Sequence, residues 1–257
     1  MKKEAFLIST IAEDAVQTAR RYGLGMEIAE FCTASNLDER FAETDAAVRA
    51  KTESAACRVL HGPFNELFPC AIDPKARELA RLRYRQAIEA AQSYGISTLI
   101  LHAGFNPHLY FPCWFTEQSI LFWQDFVREI PDGMTVCLEN VLEDTPDMLT
   151  DIVQAVQSPK LRLCLDIGHI NAYSSVPAEQ WLEVCAPYTV HFHIHNNDGS
   201  HDAHSALFTG RLDFAQLLRS AERLCPSATF TLELLAAEPS VRWLAENGIL
   251  EEKEGYL

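Results

Sequence analysis

The 257-residue sequence predicts an α/β fold, closed as a (β/α)8 barrel and filling residues 1–257 as one domain. Three observations predict it. Short apolar, β-branched runs alternate from end to end with longer stretches at helical spacing. The runs number eight, and each of the last six closes on an ionisable side chain. Near-continuous apolar strands separated by helices imply a parallel sheet covered on both faces. An open doubly wound sheet is the competing closure. No GxGxxG opens a helix after the first strand and no P-loop is present, whereas eight units of about 32 residues each are the number that closes a TIM barrel.

In chain order the strand runs are EAFLIS (4–9), GMEIAEF (25–31), CRVLH (57–61), TLILHA (98–103), TVCLEN (135–140), LRLCLD (161–166), TVHFHIH (189–195) and ATFTLELL (228–235). The clearest helix is 74–95, with Pro74 near its start, an i/i+3/i+4 apolar stripe and Gly95 at its end. Further helices are expected over 13–23, 116–130, 145–157, 178–186 and 214–224, and 32–56 is helical in composition but irregular at its beginning.

Composition excludes several classes. With 48% hydrophobic residues the chain is not disordered. No stretch approaches the ~18 apolar residues of a membrane span, and the run from Ala5 to Ile8 is too short for a signal-peptide core, so a cytoplasmic protein is expected. The 36 acidic and 21 basic side chains leave a net charge of −15, which argues against a general binder of nucleic acid. Three divalent ions would reduce that figure to −9. Eight cysteines are scattered without a CxxC pair, several inside apolar runs, and read as small reduced core residues.

The strand ends carry the chemistry. His61, His102, Glu139, Asp166, His195 and Glu233 lie 41, 37, 27, 29 and 38 residues apart, about one βα unit each time. In a barrel those ends converge on one mouth. Alternation agrees: Glu139, Cys137 and Thr135 share one strand face while Leu138 and Val136 share the other. Each residue alone reads as a hydrogen-bonded structural group. Together, carboxylates gathered at one mouth repel by roughly 4 kcal/mol per pair at 4 Å in an intermediate dielectric, and no Lys or Arg closes any of these segments. A divalent cation is the simplest compensation. His169 follows Asp166 by three residues, and the stretch after His195 offers Asp202 and His204, which join the set if that loop folds back over the mouth. The mixed N/O set of nine suits zinc or manganese, with one to three ions per chain. His191 and His193, on the face of His195, read as hydrogen-bonded interior residues below the mouth.

The segments LHGPF, LHAGF, LENV, LDIGH, HIHNNDGSHDAH and LELL resemble the xylose isomerase-like TIM-barrel superfamily, which includes sugar and sugar-phosphate isomerases and epimerases and endonuclease IV. The nine-residue, three-zinc set of endonuclease IV would fall on His61, His102, Glu139, Asp166, His169, His195, Asp202, His204 and Glu233, all filled by the matching residue type. The isomerase and epimerase branches resemble a subset: one ion on Glu139, Asp166, His195 and Glu233, the two glutamates moving a proton, and His169 polarising a carbonyl. The Arg that those epimerases carry after the strand-seven His is missing from NNDGSHDAH, and the first loop, Ser9 to Asp14, is short and acidic, unlike a DNA-binding loop of endonuclease IV.

The resemblance therefore implies a metal-dependent isomerase or epimerase of a small sugar or sugar phosphate, with Glu139, Glu233 and His169 as catalytic residues. The alternative is an endonuclease IV-like phosphoesterase using clustered zinc. Tyr110, Phe111, Trp114 and Phe115, after the fourth strand, either cover a sugar ring or pack in the core.

Overall fold

The computed structural model describes residues 1–251; residues 252–257 of the expected domain lie outside the described residues. Eight parallel strands close in sequence order: β1 (Phe6–Ser9), β2 (Gly25–Ile28), β3 (Arg58–His61), β4 (Thr98–His102), β5 (Thr135–Glu139), β6 (Leu161–Asp166), β7 (Thr189–Ile194) and β8 (Thr229–Leu232), with β8 pairing to β1. This is the (β/α)8 barrel that the eight apolar runs predict.

The helices are α1 (Ala15–Tyr22), α2 (Ala34–Leu37), α3 (Phe41–Thr52), α4 (Pro74–Ser93), α5 (Pro112–Phe126), α6 (Asp147–Val156), α7 (Ile167–Tyr173), α8 (Ala178–Cys185), α9 (Phe214–Leu224) and α10 (Glu238–Glu246). In α4 Pro74 occupies the first turn and the Asp73 carboxylate accepts from Lys75 N at 2.8 Å. Proline and cap together satisfy orphan amides at the helix start. The stripe Ala80, Tyr84, Ala87, Ile88 and Ala91 is buried beneath.

Several boundaries differ from expectation. Residues Lys3–Ala5 form a 3-10 turn and β2 stops at Ile28, followed by a second 3-10 turn, Glu30–Cys32. Helix α5 starts at Pro112 rather than 116 and ends at Phe126, because Pro at the first turn fixes a helical φ. Phe115 is thereby buried in the core while Phe111 stays exposed. Helices α7 and α10 are additions to the expected set.

Two apolar layers result from strand alternation. Leu7, Val59, Ile100, Cys137 and Cys164 face inward and plug the bore. Leu99, Leu101, Val136, Leu138, Leu163, Leu165, Phe230 and Leu232 face outward and meet the helices. The cysteines are all free thiols, with Cys70, Cys137, Cys164, Cys185 and Cys225 buried. Among the described residues no helix is long and apolar enough to cross a membrane.

Candidate metal centre

Above the plug the inward positions turn ionisable. His61, His102, Glu139 and Asp166 are the last residues of β3, β4, β5 and β6. His195 and Glu233 stand one residue past the ends of β7 and β8. His102 is paired in register with Glu139, so neighbouring strands deliver both side chains to one level. His169 comes from the first turn of α7, whose N-cap is Asp166 itself: its Oδ1 accepts from His169 N at 2.7 Å. Gly168 lets this turn close, since a Cβ there would lie 1.9 Å from the His195 ring.

The loop after β7 folds back over the mouth. Asn196 and Ser205 exchange two backbone hydrogen bonds of 2.8 Å, and Asn197 Nδ2 donates to Gly168 O at 2.8 Å. Asp202 and His204 are carried onto the other residues: the His204 ring stacks on His195 with centroids 4.0 Å apart. All nine residues are therefore brought together, in three adjoining groups. Glu139 Oε2 lies 3.1 Å from His61 Nε2 and 3.4 Å from His102 Nε2. Asp202 Oδ2 lies 3.2 Å from His169 Nε2 and 3.0 Å from His204 Nε2. Between them, His195 Nε2 is 3.1 Å from Asp166, and His195, His204 and Glu233 approach closely enough to share an ion.

The imidazoles are oriented for a cation. Nδ1 of His61, His169 and His204 lies 2.9, 2.8 and 2.7 Å from the carbonyl oxygens of Gly62, Asn140 and Glu233. A ring that donates Nδ1–H to a backbone carbonyl keeps the Nε2 lone pair free, the arrangement typical of ligating histidines. Each of those Nε2 atoms faces a carboxylate. The carboxylates are themselves under-satisfied: Glu139 Oε1 and Asp202 Oδ1 are buried without a hydrogen-bond partner. Buried polar atoms without partners cost free energy, and a divalent cation relieves that cost. The donor set thus fits zinc or manganese on chemistry and orientation alike.

Electrostatics divides the group. Burial works to raise the Glu139 carboxyl, but the charges of His193 and His102 hold it well below the usual range. Burial, opposed only in part by His193, raises Glu233. Burial would lower His169, yet the Asp166 carboxylate beside it pushes it up to about 10. Burial dominates at His102, which falls to about 3.

Two residues at the floor escape the sequence reading. His193 is not below the centre: it pairs in register with Asp166, because the β6–β7 register shifts between Leu163 and Cys164. Its Nδ1 lies 3.1, 3.7 and 3.8 Å from oxygens of Glu139, Glu233 and Asp166. Glu27, fully buried on β2, meets its other nitrogen at 3.0 Å. His191 is the hydrogen-bonded interior residue expected, reaching Thr229 Oγ1 at 2.6 Å and Thr231 Oγ1 at 2.9 Å. The one available signal for Glu27 was an acid inside an otherwise apolar run, Gly25-Met26-Glu27-Ile28.

The rim is aromatic and partly open. Phe64 stacks on His102 with centroids 4.2 Å apart, and Tyr173 stands 6.2 Å from His169. Asp202 and His204 keep 20% and 27% of their side-chain surface, so solvent reaches the centre beside them.

Comparison with known proteins agrees with this architecture. An uncharacterised protein of Methanocaldococcus jannaschii, MJ1311, is 28% identical over 199 residues, covering 68% of this chain and 63% of that protein. A probable endonuclease 4 of Ureaplasma parvum is 26% identical over 184 residues, covering 62% and 59%. The chain thus spans less than two thirds of the length of either relative. The TTHB071 protein of Thermus thermophilus, in crystals soaked with zinc chloride, superposes with a TM-score of 0.79 at 24% identity, covering 98% of this chain and 100% of that one, a likeness of fold. The family model described as xylose isomerase-like TIM barrel matches residues 16–251, and the chain belongs to that family.

Proposed function

We propose that the protein is a divalent-metal-dependent enzyme whose clustered ions act on a small phosphorylated substrate, as a phosphoesterase. The observation that carries this reading is the return of Asp202 and His204 over the mouth, which adds their donors beside His169 and His195 to the groups already formed at the strand ends. Charge counting supports it. Glu139, Asp166, Asp202 and Glu233 contribute −4 when ionised; one divalent ion leaves −2 in a buried site, two reach neutrality, and three leave +2. Buried net charge is costly, and the +2 state matches a phosphate dianion. Divalent ions bound there would neutralise phosphate oxygens and make water nucleophilic near neutral pH.

The chain's own residues would do the rest. His61, His102 and Glu139 hold one side of the cluster, His169, Asp202 and His204 the other, and Asp166, His195 and Glu233 the middle. Phe64 and Tyr173 at the rim flank the entrance. A duplex nucleic acid fits poorly: the rim basic residues Arg40 and Arg211 are isolated, and Arg40 is already paired with Glu43 at 3.4 Å. A small substrate in a cytoplasmic setting is the fitting counterpart.

The isomerase or epimerase reading keeps one specific support. Glu139, Asp166, His195 and Glu233 suffice for a single ion, with Glu139 held ionised and Glu233 held towards its protonated form, the pairing a proton shuttle needs. Metal analysis of the purified protein separates the two. Two or three ions per chain, with phosphate release from small phosphoesters and an intact abasic-site duplex, is the expected result. One ion per chain, with exchange of a sugar C–H for solvent deuterium that Glu233→Gln abolishes, establishes the isomerase instead.

A further inference from the structure

We infer that His193 is a positioning residue of the centre, clamped by Glu27 from below and holding Glu139 from above. The inference rests on the metal-binding reading and adds the device that fixes its shared carboxylate. His193 is 0% exposed, as is Glu27, and Glu139 is 1% exposed, so water does not compete for these contacts.

Glu139 is the carboxylate that joins the His61 and His102 side of the centre to His169 and His193. Its Oε2 faces His61 and His102, and its Oε1 faces His193 at 3.1 Å and His169 at 3.5 Å. Rotation of that carboxyl about its terminal bond would exchange the two oxygens and dismantle both sides at once. Something must hold it, and the other neighbours have their own anchors: Nδ1 of His61 and of His169 is engaged by a backbone carbonyl. His193 Nδ1 and Glu139 Oε1, by contrast, are both buried without a hydrogen bond and face each other as an ion pair at 3.1 Å.

The clamp is built from below. Glu27 approaches His193 Nε2 at 3.0 Å through Oε1, while its Oε2 accepts from Thr231 Oγ1 at 2.7 Å and lies 3.1 Å from His191 Nε2. The Glu27 carboxylate is thereby fixed on three strands, since Thr231 lies on β8 and His191 on β7. His193 also packs its face against His61, with centroids 5.6 Å apart and planes 23° from parallel. Turning this imidazole would take a nitrogen away from each of the two carboxylates it faces. Outer partners of this kind hold ligating groups in orientation, and their loss typically weakens metal affinity by roughly 10- to 100-fold.

Two substitutions separate the two ends of the ring. In His193→Asn the side-chain amide replaces Nδ1 and still reaches Glu139, but not Glu27. In His193→Gln the amide replaces Nε2, meets Glu27 and leaves Glu139 unheld. Cobalt(II) affinity and visible absorption are measured for wild type and both variants, together with the melting temperature of each after chelator treatment. The expected result is a roughly 10- to 100-fold loss of affinity in His193→Gln, an affinity within about threefold of wild type in His193→Asn, and unchanged cobalt band positions in His193→Asn. Should His193→Gln fail to fold, His193→Phe, which keeps the ring and removes both nitrogens, carries the same expected loss. Equal affinities in the variants and wild type overturn the inference. So does a melting-temperature loss shared by both variants that accounts for the weakened binding, because that is packing alone. A displaced cobalt spectrum in His193→Asn overturns it too, by making the ring a ligand. Wild-type protein that takes up no cobalt or zinc defeats the metal reading itself, a result distinct from all of these.

Discussion

The bore of the barrel has two halves built on the same strands. The lower half is the apolar plug of Leu7, Val59, Ile100, Cys137 and Cys164. The upper half begins two residues further along: Ile100 is followed on its face by His102, Cys137 by Glu139, and Cys164 by Asp166. A step of two residues, about 6.6 Å along a parallel strand, turns a dry core into a crowd of charges. The plug needs nothing from outside, because its contacts are complete on folding. The mouth is incomplete on folding, with Glu139 Oε1, His195 Nδ1 and Asp202 Oδ1 left without a hydrogen bond. Stability and function are thus separated by height within one bore.

That separation is breakable by substitution. The largest effect is expected from Glu139→Ala, which removes the buried carboxylate facing His61, His102, His169 and His193: retained metal should fall by more than the ~100-fold typical of an outer partner, and added zinc should no longer raise the melting temperature. Metal analysis after dialysis and a thermal melt with and without zinc check this. If Glu139→Ala retains its metal, the mouth is not organised around that residue. In the plug, Ile100→Ala should cost about 2–5 kcal/mol of stability through lost burial and a residual cavity, visible in denaturant unfolding, with metal content per folded chain unchanged. A change in metal stoichiometry there would show that the halves are coupled.

A third test concerns Glu143, a buried carboxyl near the mouth whose Oε1 has no partner. Burial raises it from 4.5 to about 7. A carboxyl that keeps its proton longer in the folded state favours folding below the unfolded value. That advantage is lost as pH rises from about 4.5 to about 7, and the full penalty stands above. Glu143→Gln should therefore stabilise the protein at pH 8 by up to about 3 kcal/mol and have little effect at pH 4, as read from urea unfolding at both pH values. The smallest effect belongs to the exposed Arg40–Glu43 pair. Arg40→Ala should change stability by no more than about 0.5 kcal/mol and leave metal binding alone; a larger change in metal binding would extend the centre to the surface.

Much of this was legible in the residues, for an identifiable reason. Strand alternation is local, so Cys137 and Glu139 had to share a face whatever the fold. The repeat of one ionisable residue per βα unit had to converge once the strands closed in order. What was not legible depended on partners distant in the chain. Strand seven ends one residue early at Ile194, and the loop beyond it returns because Asn197 finds the carbonyl of Gly168. The level of His193 depends on a register shift against β6, which no periodicity within either strand reveals. Glu27 was hidden because a single acid in an apolar strand predicts nothing until its partners, His191, His193 and Thr231, are known. Helix α7 was missed because seven residues are too few for a helical period to show.

By itself the amino-acid order determined the number of staves, the face each side chain takes and the kinds of donor at the tips, because dihedral preference and alternation act between neighbours. Only the closed barrel decided the heights at which those tips meet, which loop comes home and which carboxylate is shared. These are set by interstrand register and by hydrogen bonds between residues far apart in sequence, and such contacts exist only after the chain has folded.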